Sequence, residues 1–438
     1  MTLTKPAHHR PDRGLWPLLA LLLVGSAMSS TNLPAETAAT GPDVTVFDLF
    51  GSDHYGSVGS IHAYAVGTES CNQGTVPLNW CDPVNNGCAP GADVTDHPVI
   101  AQNLYRLKDG RFEQLGMSWL KHGFLSVNQS SPGCGDGSCE TPPEGGDQLG
   151  VGCTDPYGAG LNGSRPLGRR SETNPSTGEH PVRPPTGGSG FIAERLQVEE
   201  ADIDPNQNPG ALYWVEGHYI APDDAQEGNG LNNASHRPAS FNGNLDLILG
   251  GSTTREQPAV YAWQTTDPEV EILTVDVPDT RPVERFHAAR RITAGPGTWH
   301  YEYVIHNLNS DRAARLFRIQ LGPNVNITNI GFRDVDHHST EPYDTADWTI
   351  SVGTPPGTLE WSTDTFADDA DANALRWGTM FSFWFDADAP SVGAIHTLEF
   401  FKPGLPVDVE IDFDIPAAVF DDGFESGDTS GWDDSVLP

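Results

Sequence analysis

The chain has 438 residues and a formal charge of -36, with 60 acidic residues against 24 basic ones. That length admits two or three domains, each with its own core. A surface this acidic repels nucleic acid and anionic lipid, which excludes both as partners, and it gains from cations bound among its carboxylates.

Residues 1–27 read as an export signal. Lys5, Arg10 and Arg13 form a positive n-region, LWPLLALLLVG (15–25) is apolar, and Gly25 and Ala27 supply small residues for cleavage. The apolar run is too short to span a bilayer, and no later run reaches spanning length. The expectation is a secreted or periplasmic protein with no transmembrane segment. Its charge suits a bacterium living in salt water.

Residues 28–43 lack periodicity and read as a disordered leader. Residues 44–154 hold every cysteine: Cys71, Cys81, Cys88, Cys134, Cys139 and Cys153. An even number in an exported chain predicts three disulfides of unspecified pairing, and no CxxC pair suggests zinc thiolates. The Gly-Asp-Gly centre of CGDGSC would let that segment close on itself. Residues 155–190 are rich in Gly and Pro and read as a long loop or linker. Residues 191–404 form a second unit, and 405–438 an acidic tail.

In the first unit, NLYRLKDGRFEQLGMSWLKHGF carries Asp109-Gly110 between two apolar runs, a strong hairpin signal. MSWLKHGF is then a return strand. Alternation puts Trp119 and Lys121 on one face, and Leu120, His122 and Phe124 on the other. His122 reads first as a half-buried histidine with a backbone partner, and as a site residue only if other histidines meet it. Four histidines, His54, His62, His97 and His122, could converge on a transition metal, copper or zinc, as they do when separate strands supply ligands.

The second unit alternates with period two, which predicts strands. In TWHYEYVIHNL, Trp299, Tyr301, Tyr303 and Ile305 share a face. His300, Glu302, Val304 and His306 share the other, read as a solvated polar face. No helical stripe is evident, so the fold class is all-β: a disulfide-bonded N-terminal β unit plus an antiparallel β-sandwich domain.

EADIDPNQNPG places Asp202, Asp204, Asn206 and Asn208 at alternate positions, and DDADAN repeats this with Asp369, Asp371 and Asn373. Alternate oxygens in a turn suit structural calcium, although the full twelve-residue loop pattern is absent. His337-His338 is a further metal candidate. For glycosidic chemistry, Glu216 stands beside Trp214 and His218, with Asp223 or Asp224 as partner. A lyase would instead recruit Tyr105 with Lys121 or His122. No serine-hydrolase or nucleotide-binding motif is present.

HPVIAQNLYRLKDGRFEQLGMSWLKHGF, DPYGAGLNGSRPLG, YEYVIHNLNSDR, ITNIGFRDVDHHSTEPYD and NALRWGTMFSFWFDADAP resemble segments of secreted bacterial β-sandwich proteins of unassigned function. The tail FDDGFESGDTSGW resembles a C-terminal motif of exported proteobacterial proteins. No reaction follows from either resemblance. Export, 11 tryptophans and calcium loops make the leading expectation a protein that binds or acts on extracellular polysaccharide or another surface polymer. The alternatives are a histidine-ligated, copper-like protein and a non-catalytic surface or adhesion protein.

Overall fold

The computed structural model describes residues 40–81, 97–163, 167–181, 190–322, 325–353, 357–388 and 396–413. The expected export signal, all but the end of the leader, Cys88 and the FDDGFESGDTSGW tail lie outside these residues. No helix among the described residues is long and apolar enough to cross a membrane.

The protein is all-β. Four sheets carry the fold, with a short ribbon between Leu78–Asn79 and Gln148–Leu149 beside them. Sheet I contains Val44–Val58, Ile61–Asn72, Cys153–Tyr157, Gln129–Ser130 and Leu196–Glu199. Sheet II runs Leu167–Gly168, Leu120–His122, Val99–Lys108, Leu212–Ile220, Ala234–Phe241, Leu247–Leu249, and Arg111–Met117 also pairs with Val99–Lys108. Sheet III runs Glu271–Asp276, Arg285–Gly295, Thr298–Asn307, Thr379–Ala387, Ile327–Arg333. Sheet IV runs Thr349–Val352, Thr358–Ser362, Ala314–Gln320, His396–Phe400, Asp408–Ile411.

Period-two alternation explains how these sheets stack. Val46, Tyr64 and Val198 of sheet I meet Leu104, Val215 and Tyr219 of sheet II in one core. Tyr301, Tyr303 and Phe383 of sheet III meet Phe317, Trp361 and Leu398 of sheet IV in another. A third cluster joins the two sandwiches. Tyr105, Phe112 and Trp214 of sheet II pack on Ala289, Val304 and Met380 of sheet III, with Trp263 of the helix Val260–Thr266 between them. The layers therefore run I, II, III, IV, with a seam between II and III.

This arrangement redraws the expected boundaries. The segment 155–190 supplies strands to sheets I and II, and its Arg170 is 1% exposed. Leu212–Ile220 lies beside Val99–Lys108 in sheet II, so the first sandwich draws on both sides of the expected linker. The expected tail begins inside the fold: Asp408–Ile411 edges sheet IV and Phe413 is buried.

The hairpin forms as its turn requires. Asp109 and Gly110 have φ of 52° and 88°, the paired positive values of a type I′ turn. The return strand breaks at Ser118-Trp119 and resumes as Leu120–His122, still on Val99–Lys108. Trp119 is 1% exposed, so it offers no face to a sugar.

The polar face of Thr298–Asn307 is not solvated. Glu302 is 4% exposed and His306 1%. Sheet II covers that face, and Arg111 grips Glu302 with Nη2 2.7 Å and Nε 3.0 Å from Oε1. His300 Nε2 sits 2.8 Å from the same oxygen and its Nδ1 2.5 Å from Asp386 Oδ1. These two carboxylates raise the His300 pKa against the opposing effect of burial.

Cys71 pairs with Cys134 and Cys139 with Cys153, so CGDGSC does not close on itself. Cys81 is disulfide-bonded as well.

Candidate metal centre

Three imidazoles meet at one end of sheet II. His97, His122 and His180 are all buried, and one ring nitrogen of each lies within 4.8 Å of the others. Each arrives by a different route. His97 lies two residues before Val99–Lys108, with Pro98 between. His122 ends Leu120–His122, opposite Val99 in the antiparallel register. That register brings His97 Nε2 to 2.8 Å from His122 Nδ1.

His180 comes from the segment read as a linker, and sequence reasoning missed it. Its loop is tied by Asn174, whose Oδ1 accepts from Ser176 Oγ at 2.9 Å and Ser176 N at 3.1 Å. Asn174 N donates to Glu179 O at 2.8 Å, closing the loop. Gly178, with φ of +77°, packs on Pro222 so closely that a Cβ would lie 2.4 Å from its Cα. The turn chemistry of NPSTG, followed by a histidine, was the available signal. His180 Nε2 stands 2.8 Å from the His97 carbonyl oxygen and Nδ1 3.0 Å from that of Pro181. A neutral imidazole has one N–H, so only one of these can be a donated bond in that state.

Burial, then the neighbouring His97 and His180, hold the His122 pKa well below the ordinary histidine value. The neutral ring it favours is the form that ligates a metal. Nitrogens sharing a tetrahedral ion lie about 3.3 Å apart, given metal–nitrogen bonds of about 2.0–2.1 Å. To hold one ion, the His97–His122 pair at 2.8 Å would part slightly while the cluster, within 4.8 Å overall, closes on the third ring. Gly168 backs the site, because a Cβ there would lie 2.4 Å from His122 Nε2.

The other expected residues fall elsewhere. His54 and His62 form their own pair on sheet I, Nε2 to Nδ1 3.0 Å, flanked by Asp246 and Glu200. The expected four-histidine site is thus two pairs on separate sheets, one completed by His180. Lys121 points the opposite way from His122, as alternation requires, and its Nζ lies 3.4 Å from the Tyr157 ring centroid. Phe124 stacks on that same Tyr157, not on the His122 side, because the strand ends before it.

Glu216 and Tyr105 do meet, but in the seam. Glu216 Oε1 accepts from Asn103 Nδ2 at 2.8 Å and from Tyr105 Oη at 3.0 Å, and Oε2 from Ala259 N at 2.6 Å. Burial raises the Glu216 pKa against these bonds. The carboxylate is 1% exposed and all its bonds are internal, so it serves packing. Asp224 is likewise sealed, bonded to Val44 N and Asn233, while Asp223 Oδ2 accepts from Asn79 N.

Most of the expected calcium residues bond to the protein's own groups. Asp202 pairs with Arg106 and Arg333. Asp204 accepts from Asn206 and Gln207, and Asn208 Oδ1 from Arg106 and Lys108. Asp369 accepts from Asp371 N, whereas Asn373 turns inward to Asp334. His337 faces Glu199 at 3.6 Å and His338 packs edge-on against Tyr343.

Fold and site together define a class: a double β-sandwich with a buried three-histidine cluster. No family model and no curated protein matches the chain.

Proposed function

We propose that this is an exported metal-binding protein whose His97, His122 and His180 hold one divalent transition ion, zinc or copper. The observation that carries the reading is the convergence of three buried imidazoles from three separate segments. The donor set is nitrogen only, which suits these borderline ions rather than calcium. Three protein ligands leave a further coordination position for water or a ligand. His180 also lines a cavity. The disulfides support export, since they persist in oxidising compartments.

Among the described residues, the tryptophans lend the polysaccharide reading little support. Trp80, Trp119, Trp214, Trp263, Trp348, Trp361 and Trp377 are buried, and Trp299 and Trp384 are half-buried.

The test is metal content of protein isolated from an oxidising compartment, followed by zinc and copper titration. One equivalent per chain is expected, lost in His122→Ala and His180→Ala. A folded His180→Ala variant that binds as tightly as wild type would overturn the reading.

A further inference from the structure

A second histidine pair stands on the opening hairpin of sheet I. His54 lies opposite Tyr64 in the antiparallel register of Val44–Val58 with Ile61–Asn72, and His62 lies two residues before Tyr64. Positions two apart on a strand share a face, so the two imidazoles meet on the diagonal. His54 Nε2 is 3.0 Å from His62 Nδ1.

Each ring turns its other nitrogen to a carboxylate. His54 Nδ1 faces Asp246 Oδ1 at 3.5 Å, and His62 Nε2 faces Glu200 Oε2 at 3.3 Å. An ionised carboxylate only accepts hydrogen bonds, so it draws an N–H to each of these outer nitrogens. A neutral imidazole has one N–H. In the neutral rings the two nitrogens that face each other are therefore both lone pairs, 3.0 Å apart. Two acceptors at that distance repel each other unless a cation lies between them. Burial holds the His54 pKa below the ordinary histidine value, although Asp246 opposes it, which disfavours a proton as that cation. A metal-bound imidazole has the arrangement seen here: one nitrogen for the ion, and the other donating its N–H to a carboxylate.

The surroundings hold these groups in place. Tyr64 stacks on His54 with ring centroids 4.7 Å apart, and its hydroxyl donates to the Leu245 carbonyl at 2.6 Å. Phe241 packs edge-on against Tyr64. Asn242 Nδ2 donates to Asp246 Oδ2 at 2.9 Å, and Asn242 Oδ1 accepts from Asp246 N at 3.0 Å. The His54 side chain keeps 20% exposure, so an ion can enter from solvent and water can complete its coordination. Nitrogens on a tetrahedral ion lie about 3.3 Å apart, so a slight opening of the pair seats one.

We propose that His54 Nε2 and His62 Nδ1 bind a second divalent transition ion, zinc or copper, with Asp246 and Glu200 as positioning residues that fix the two tautomers. This ion is additional to the one assigned to His97, His122 and His180 and does not depend on it. It is held more weakly, by two protein ligands against three.

The experiment titrates the full chain with excess zinc by calorimetry. A second, weaker equivalent is expected after the first. His54→Gln and His62→Gln lose the second and keep the first, and His180→Ala does the reverse. Asp246→Ala, at an exposed position, weakens the second at least about tenfold and leaves the first unchanged, and it serves if neither histidine variant folds. Zinc binding that is the same in wild type and in a folded His62→Gln protein means that the gap holds a proton only, and overturns the proposal whether or not the buried cluster binds. A second equivalent indifferent to Asp246→Ala overturns it as well. A single equivalent lost in His62→Gln but kept in His180→Ala leaves this site standing and overturns the buried-cluster reading instead.

Discussion

His97 Nε2 lies 2.8 Å from His122 Nδ1, although 25 residues separate them. The Val99–His122 pairing holds both at one end of sheet II, and Gly168 on the neighbouring strand leaves room for the His122 ring. A Cβ at Gly168 would collide with a ring nitrogen, and a ring cannot yield as a flexible chain end does. Gly168→Ala is therefore expected to weaken zinc or copper binding at least tenfold while the strand content is retained. Competition with a coloured chelator measures the first and circular dichroism the second. Unchanged affinity would mean that His122 is not a ligand.

Glu216 stitches the seam and does no chemistry in this reading. Glu216→Ala strands the Tyr105 hydroxyl and the Ala259 N–H without an acceptor, while the Asn103 amide keeps the Gly378 carbonyl. Each stranded buried donor costs about 1–3 kcal/mol, so the variant should lose about 2 kcal/mol or more in urea unfolding. Glu216→Gln keeps the shape and one carbonyl acceptor and should lose less. Both should bind metal as wild type does. A Glu216→Ala protein of wild-type stability would remove Glu216 from the seam's support.

Acid should loosen the seam. Burial holds His218 and His287 down to about 3, helped by His306 and Arg285 respectively, and burial with His287 holds His306 well below the ordinary value. Depressed folded-state values mean that the unfolded chain takes up protons first. The stability these rings contribute is present above about pH 6.5 and is lost as pH falls toward about 3. Asp155 and Asp334 act in the opposite sense, because burial raises both to about 7. Their contribution is full below the unfolded carboxylate value and fades as pH rises through 7. A comparison of variants cancels them. Replacing both His218 and His287 by Gln should flatten the dependence of unfolding free energy on pH between about 4 and 6. Each lost site accounts for up to about 1.4 kcal/mol per pH unit. Identical slopes would show that neither ring resists protonation.

The two described disulfides should differ in worth. Cys71–Cys134 spans a separation of 63 residues and Cys139–Cys153 one of 14. Loop-closure entropy assigns them roughly 4 and 3 kcal/mol. Replacing both cysteines of the longer link by Ser should cost about 1 kcal/mol more than doing so for the shorter, read from urea midpoints. The reverse order would show that native-state strain or residual structure outweighs loop length.

Alternation is a local property, so it could be read without the fold. The sequence by itself determined that Tyr301, Tyr303 and Ile305 share one face, that Lys121 and His122 oppose each other, and that Asp109-Gly110 turns a hairpin. Each follows from the geometry of a strand or a two-residue turn. It did not determine what each face would meet. The polar face of His300, Glu302 and His306 resembles a solvated one, and only the packing of sheet II on sheet III buries it. The alternate aspartates around Asp202 and Asp369 resemble cation loops, and only the fold brings Arg106 and Arg333 to Asp202. His180 lay in a stretch without periodicity. Its meeting with His97 and His122 depends on the pairing of Leu120–His122 with Val99–Lys108 and on a loop pinned against Pro222. Contacts between residues far apart in the chain arise from the global packing of sheets, and no local pattern encodes them.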